Sequence, residues 1–369
     1  MARAMPSQPF QPFQPLRVVG RGICCAVGHR AQAAVAAINA RVNHFRETDF
    51  IDLEGGPVVG GALHDVPVWG EERWHAMLHS VVTESLALLP QVPFERVAVV
   101  VLSAEPERIG ITHEGFGRVL DGLMKAGCLS GTSRFHAASC RLPYGKGGIA
   151  QALQEISGFL GQRGGPDYVV LAAVDSFLHA GAIEHYLEAE RIATPSNPDG
   201  FIPAEGASAV LLSHRPEGRA ESLWVDGCAT HDDPWRVGCE APQRAQALTR
   251  AIRDAAQEAG VEVSALAFHA SGMTGESWSA KEINLALSRS LERRVAEFPH
   301  SIIAGHVGET GAAAPVLALA WLADAMGRDD GPGRSALLHF AGDDGRRAAL
   351  VVRFRSPVIG APLTRTHRS

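Results

Sequence analysis

The sequence predicts an α/β protein made of two similar halves, and three observations carry that expectation. Continuous β-branched and apolar runs, such as 96–103 (RVAVVVLS) and 168–174 (YVVLAAV), read as strands buried on both faces of a sheet. Segments with helical spacing of apolar residues alternate with them. After a hydrophilic link at 214–220 the order begins again, in a chain of 369 residues that exceeds the usual size of a single core. Mixed, mostly parallel sheets covered by helices follow, with halves at 16–215 and 216–369.

The elements justify themselves in order. Residues 1–15 are rich in Pro, Gln and Phe and read as a disordered tail. The run 17–27 (RVVGRGICCAV) is a first strand broken by Gly, and 31–43 carries the Ala, Val and Ile spacing of a helix. A polar stretch at 46–65 is expected to be loop, followed by a helix at 72–89 and the strand at 96–103. A helix at 113–127, a short strand at 133–139 and a helix at 146–162 lead to the strand at 168–174. The strand 207–213 (ASAVLLS) follows the loop TPSNPDGFIPAEG. In the second half the reading gives a strand at 221–228, a helix at 241–259 and a strand ending at Phe268. A helix at 280–295, a strand at 301–304, a helix at 311–326 and a closing hairpin of 335–340 with 347–354 complete it.

Composition removes several function classes. The formal charge is -6 and no basic run is present, which argues against nucleic-acid binding. The cysteines, Cys24, Cys25, Cys128, Cys140, Cys228 and Cys239, suit neither a disulfide framework nor a CxxC pair. No signal peptide and no apolar run of about 20 residues is seen, so a cytoplasmic, reduced protein without a membrane span is expected. Cys228, His231 and Cys239 lack a fourth partner at zinc spacing, and the Gly-rich region 158–165 lacks a P-loop Lys-Ser/Thr. No cofactor and no metal is expected.

Three places combine an apolar strand with a polar end. Cys140 closes 135–140 (FHAASC) ahead of a Pro143 turn and a helix, where a helix dipole and free amides favour a thiolate. His269 leads 268–275 (FHASGMTG) into a Gly-containing turn, and His306 sits between glycines in 302–314 (IIAGHVGETGAAA). Strand ends of this kind are where ligands gather in open α/β sheets. A lone buried Cys or His is commonly mere packing, but the three together raise the case for a Cys-His-His site.

The order of these segments over residues 17–354 resembles the beta-ketoacyl-acyl-carrier-protein synthase branch of the thiolase superfamily. RVVGRGICCAVG is similar to that family's opening strand. PDGFIPAEGASAVLLS is similar to its R-D-G-F-V-x-G-E-G-A segment, with Asp199, Gly200, Phe201, Glu205, Gly206 and Ala207 in register. HASGMTG resembles the H-G-T-G-T loop, GHVGETGAAA the G-H-T loop, and HFAGDDGRRAALVV the Gly-rich closing turn. The strand-end pair Asp175–Ser176 also matches and is read as structural.

The resemblance implies the thiolase fold, two halves layered αβαβα. It implies an acyltransferase in which Cys140 accepts an acyl group from an acyl carrier protein or coenzyme A thioester, while His269 and His306 bind the incoming carbonyl. Ser271, Gly272, Met273 and Gly305 would contact substrate, and amides near Cys140 and in the turn from Gly342 to Gly345 would form the oxyanion hole. A homodimer is implied, or a heterodimer with a synthase.

The chain departs from the family at several of these places. Cys140 is followed by Arg141, Leu142 and Pro143, and Gly145 arrives two residues late; aligning on Ile149 instead puts Leu142 at the nucleophile position. Ser301 replaces a Lys, Met273 and Ser271 replace threonines, and Asp343 stands for a gatekeeping Phe. The alternative is therefore a catalytically degenerate member. It would act as a partner subunit, as in polyketide condensing pairs, or as an adaptor in a biosynthetic or secretion-effector setting.

Overall fold

The computed structural model describes residues 13–356, apart from 65, 88, 90, 91, 111, 112, 127–133 and 216–220. Residues 1–12 of the expected tail and Cys128 lie outside the described residues, whereas Gln14 N–H donates to Ser157 Oγ at 3.0 Å and Phe13 packs on the core.

The first half runs β1 (Leu16–Cys25), α1 (Ala31–Asn39), β2 (Arg46–Ile51), β3 (Pro57–Gly60), α2 (Gly70–Leu86), β4 (Val97–Leu102), α3 (His113–Ala126), β5 (Cys140–Leu142), α4 (Ile149–Gly161), β6 (Tyr168–Ser176), α5 (Ala180–Glu188) and β7 (Glu205–Ser213). The second runs β8 (Ser222–Asp232), α6 (Gln246–Glu258), β9 (Phe268–Ser271), α7 (Ser277–Ser290), β10 (His300–Ile302), α8 (Ala304–Val307), α9 (Ala313–Ala325), β11 (Ser335–Ala341) and β12 (Arg346–Arg355). Two expectations fail locally. The polar stretch after α1 forms the β2–β3 hairpin, whose alternating polar and apolar residues bury one face only. The strand expected at 133–139 begins at Cys140, because residues 137–138 make a turn in which Ser139 N–H donates to His136 O.

The sheet order is β10-β9-β11-β12-β8-β1-β7-β6-β4-β5. Numbered within each half, both orders are third-second-fourth-fifth-first. In the first half β4 is parallel to β5 and β6, while β7 is antiparallel to β6 and β1. The second half repeats this with β9, β10, β11, β12 and β8. In each half one strand alone runs against the other four, so the carboxyl ends of the four share an edge.

The duplication reaches into irregularities. The ladder of β1 slips between Val18 and Gly20, and that of β12 on β8 slips between Val351 and Val352. A Cβ added to Gly22 would collide with Val81 O of α2, and one on Gly227 with Ala255 O of α6. Each half thus uses a glycine in its first strand to let an outer helix lie against the backbone.

Alternate residues of the central strands serve opposite faces. Val97, Val99 and Val101 of β4 pack under α2 and α3, whereas Ala98, Val100 and Leu102 face α4 and α9. Leu337 of β11 faces α6 and α7, whereas Leu338 joins the central core. This burial on both sides is why the strands read as unbroken apolar runs, and it gives the layers α2/α3, first sheet, α4/α9, second sheet, α6/α7.

Replacing Gly22 with Ala should cost about 1–3 kcal/mol of unfolding free energy through the clash with α2. Gly158→Ala in α4, where an added Cβ meets nothing within 4 Å, should be neutral or gain up to about 1 kcal/mol. Urea denaturation of both variants checks the pair.

Candidate functional site

The shared carboxyl edges of the two halves meet, and charged residues fill the meeting place. Glu105 and Arg108 follow β4, Lys146 follows β5, and Asp175 sits near the end of β6. Arg191 follows α5. The second half supplies Glu276 before α7, Glu309 between α8 and α9, and Asp343 in the β11–β12 turn. The apolar strand ends thrust these side chains out of the core together.

They are held as ion pairs, which is the only economical way to bury charge. The Arg108 guanidinium lies 3.0 Å from Glu105 and 3.6 Å from Asp175, with its carbon 4.2 Å from the centre of the Phe177 ring. Lys146 Nζ pairs with Glu309 Oε2 across the two halves. Arg191 bridges Glu276 at 2.7 Å and Asp343 at 2.8 Å, again joining the halves. Burial raises the Asp175 carboxyl to about 6, against the Arg108 charge and the amide N–H of Ala312. Burial pushes Asp343 the same way, but the Arg191 guanidinium overrides it and holds that carboxyl well below the usual range. A cavity of about 10 Å³ remains among these groups, and a larger space of about 630 Å³, lined also by Arg236, Asp344 and Arg346, shares Glu105, Arg108, Arg191 and Asp343 with it.

The turn from β5 into α4 is the sharpest feature of this site. Gly145 has φ +60° and ψ -171°, a conformation that favours glycine. A Cβ on it would overlap the Glu105 carboxylate. The residues 146–148 then make a short 3-10 turn that opens α4. A nucleophile using the amide field of α4 would have to stand at this turn, and the position has no side chain.

Cys140 stands elsewhere. It is the first residue of β5, opposite Val100, and not a residue between strand and helix. Burial and then the neighbouring Glu155 carboxylate raise its thiol to about 11, opposite in direction to the activation expected from the sequence. His269 lies in β9 with its ring 4.0 Å from that of His300 and its Nδ1 3.1 Å from His339 Nε2. The ring of His306 is set against the backbone of Val42 and the Arg41 charge, with Nδ1 buried and unpartnered. Cys140, His269 and His306 therefore occupy three neighbourhoods, and no hydrogen bond, ion pair or ring contact joins any two of them.

Most of the remaining substrate-contact candidates have partners within the protein. Ser271 Oγ meets His300 Nε2 at 2.7 Å and accepts from Met273 N–H at 3.2 Å. Gly272 N–H donates to His339 O, Gly342 N–H to Arg346 O, and Gly345 N–H to Gly342 O, so these amides are not free to form an oxyanion hole. Met273 packs beside the α6–α7 core, and Gly305 has open space around it. The most specific motif is likewise structural. Asp199 accepts from Ser277 N–H and Oγ–H at the start of α7, Phe201 packs edge-to-face with Phe177 and Tyr186, and Glu205 binds Arg73 at 2.5 Å. Of the rejected partial metal set, Cys228 is buried, His231 bonds Asp254 at 2.7 Å, and Cys239 is exposed.

Sequence reading missed Glu105, Arg108, Lys146, Arg191 and Glu309. One signal was available: Glu309 is a lone carboxylate inside a run of Gly and Ala, a setting that demands a buried cation. Nothing local marks Arg191 or Arg108, whose partners come from other elements.

Comparison with solved structures agrees with the topology. A type II polyketide ketosynthase complexed with its acyl-carrier protein aligns with TM-score 0.75 at 15% identity, covering 93% of this chain and 100% of the other. The ishigamide ketosynthase/chain length factor aligns at 0.70 and 15%, covering 93% and 99%. A beta-ketoacyl synthase from Burkholderia phymatum STM815 aligns at 0.67 and 14%, covering 92% and 99%. The chain has the ketosynthase-like thiolase fold. No protein-family model and no curated protein sequence matches it. No helix among the described residues is long and apolar enough to cross a membrane.

Two outcomes are expected. Arg191→Met should cost about 3–5 kcal/mol in urea denaturation, because it strands Glu276 and Asp343. The pH dependence concerns the imidazoles of β9 and β10, which burial lowers to about 3 for His269 and about 4 for His300. Unfolded imidazole titrates near ~6.5, so their stabilising contribution is complete above that pH and is lost as pH falls toward 4 and 3. Asp175, raised to about 6, works the other way, gaining as pH falls. The urea midpoint should decline between about pH 6.5 and 4.5, and less steeply in His300→Gln.

Proposed function

We propose that this chain is a catalytically silent ketosynthase-like subunit, one that assembles with a ketosynthase or an acyl carrier protein and does not itself transfer acyl groups. The observation that carries this reading is the turn at Gly145, where the Glu105 carboxylate takes the space a nucleophile would need. The raised thiol of Cys140 and its separation from both histidines support it further. So does the ion-paired Asp343 at the place of a gatekeeping aromatic, since a salt-bridged turn resists the swing that admits an acyl chain.

Among the similar solved structures, one is a ketosynthase with its chain length factor and another a ketosynthase with its acyl-carrier protein. Partnership of that kind fits this chain. β5 bonds only to β4, so one edge of the first half is open among the described residues and offers a seam for a homodimer or heterodimer. A cytoplasmic location accords with this reading. The acyltransferase reading, with Cys140 as acceptor and His269 and His306 assisting, requires the three to be brought together from their separate surroundings.

Intact-mass measurement after incubation with acyl-coenzyme A and acyl carrier protein thioesters decides between the two. No acyl adduct is expected. An adduct present in the wild type and absent in Cys140→Ala would overturn the proposal. Iodoacetamide gives a second readout, because exposed Cys239 is an internal reference. At pH 8, Cys140, whose thiol burial raises to about 11, should label much more slowly than exposed Cys239.

A further inference from the structure

We propose that His269, His300 and His339 form a binding site for a single zinc-class transition-metal ion on the outer face of the second sheet. The fold places the three side by side. His300 of β10 is in register with His269 of β9, and Leu337 of β11 is in register with His269 from the other side. His339 lies two residues beyond Leu337 and so returns to the same face. Three adjacent parallel strands therefore each contribute one imidazole to one patch.

Their donor atoms already lie close. One ring nitrogen from each residue can be chosen so that all lie within 4.8 Å of one another. His269 Nδ1 and His339 Nε2 are 3.1 Å apart, against about 3.3 Å between two imidazole nitrogens on a tetrahedral zinc with bonds of about 2.0 Å. His269 and His339 are buried and His300 is half-buried, which leaves a route inward past His300. An all-imidazole set suits zinc, cobalt, nickel and copper, and not magnesium or calcium.

Three protein ligands leave a fourth position open for water. The Ser271 hydroxyl lies 2.7 Å from His300 Nε2. Binding an ion requires two changes: the hydrogen bond between His269 Nδ1 and His339 Nε2 opens and its proton leaves to solvent, and the His300 ring, stacked on His269 at an interplanar angle of 16°, turns out of that stack. The turn gives up the bond to Ser271, so that hydroxyl competes with the metal for His300.

The test uses the full chain stripped with EDTA and titrated with zinc chloride in a calorimeter. One equivalent should bind, weakened about 10–100-fold in His300→Gln and in His269→Gln. Ser271→Ala should bind more tightly than wild type by severalfold. Circular dichroism reports whether each variant folds. X-ray absorption on the zinc-loaded wild type needs no variant and should show three imidazole nitrogens at about 2.0 Å. Absence of stoichiometric binding overturns the proposal, as do sulfur neighbours in the absorption spectrum or undiminished binding in folded His300→Gln.

Discussion

Helix α9 has to be buried on every side, and the architecture follows from meeting that demand. Its residues 313–325 (AAPVLALAWLADA) are apolar around almost the whole circumference, and ten of them are buried. A helix of this kind finds stability only when sheets or helices cover it all round. Here the two sheets sandwich it beside α4, and strands of both halves contribute to one central core. The sheets are joined edge to edge only through Leu16–Val225 and Arg17–Trp224. What holds the halves together is therefore the shared helical layer, not the hydrogen-bonded seam.

That layer also determines where charge can go. With both sheets packed against α4 and α9, the strand ends are the first place where polar groups reach one another. Each half supplies some of the ions; Arg108 finds its partners within the first half, whereas Lys146 with Glu309 and Arg191 with Glu276 and Asp343 pair across the halves. The network thus locks the relative placement of the loops around the turn at Gly145. Buried pairs of this sort add little net stability but penalise any arrangement that separates them.

The sequence made the sheet architecture legible, because burial on both faces leaves a continuous apolar signature in β4, β6 and β7. It also made the halves visible through element order. The β2–β3 hairpin was less legible, since its alternation is masked by charged residues. The candidate site was harder still. Cys140 and His269 were found as residue types at plausible strand ends, but one residue of register decides whether a side chain enters a strand or the turn beyond it. His300 and His339 carried no local signal at all: their meaning comes from the register of three strands that are distant in sequence.

The glycine at 145 closes a path as well as opening a turn. A single change to cysteine there would force a side chain into the space of Glu105, on a backbone that side chains rarely adopt. A side chain at this position requires the Glu105 carboxylate to move, and Glu105 is one of the two carboxylates paired with Arg108. The turn and the carboxylate that fills it therefore behave as one unit: a change at either position is felt by the other and by the ion pairs around Arg108.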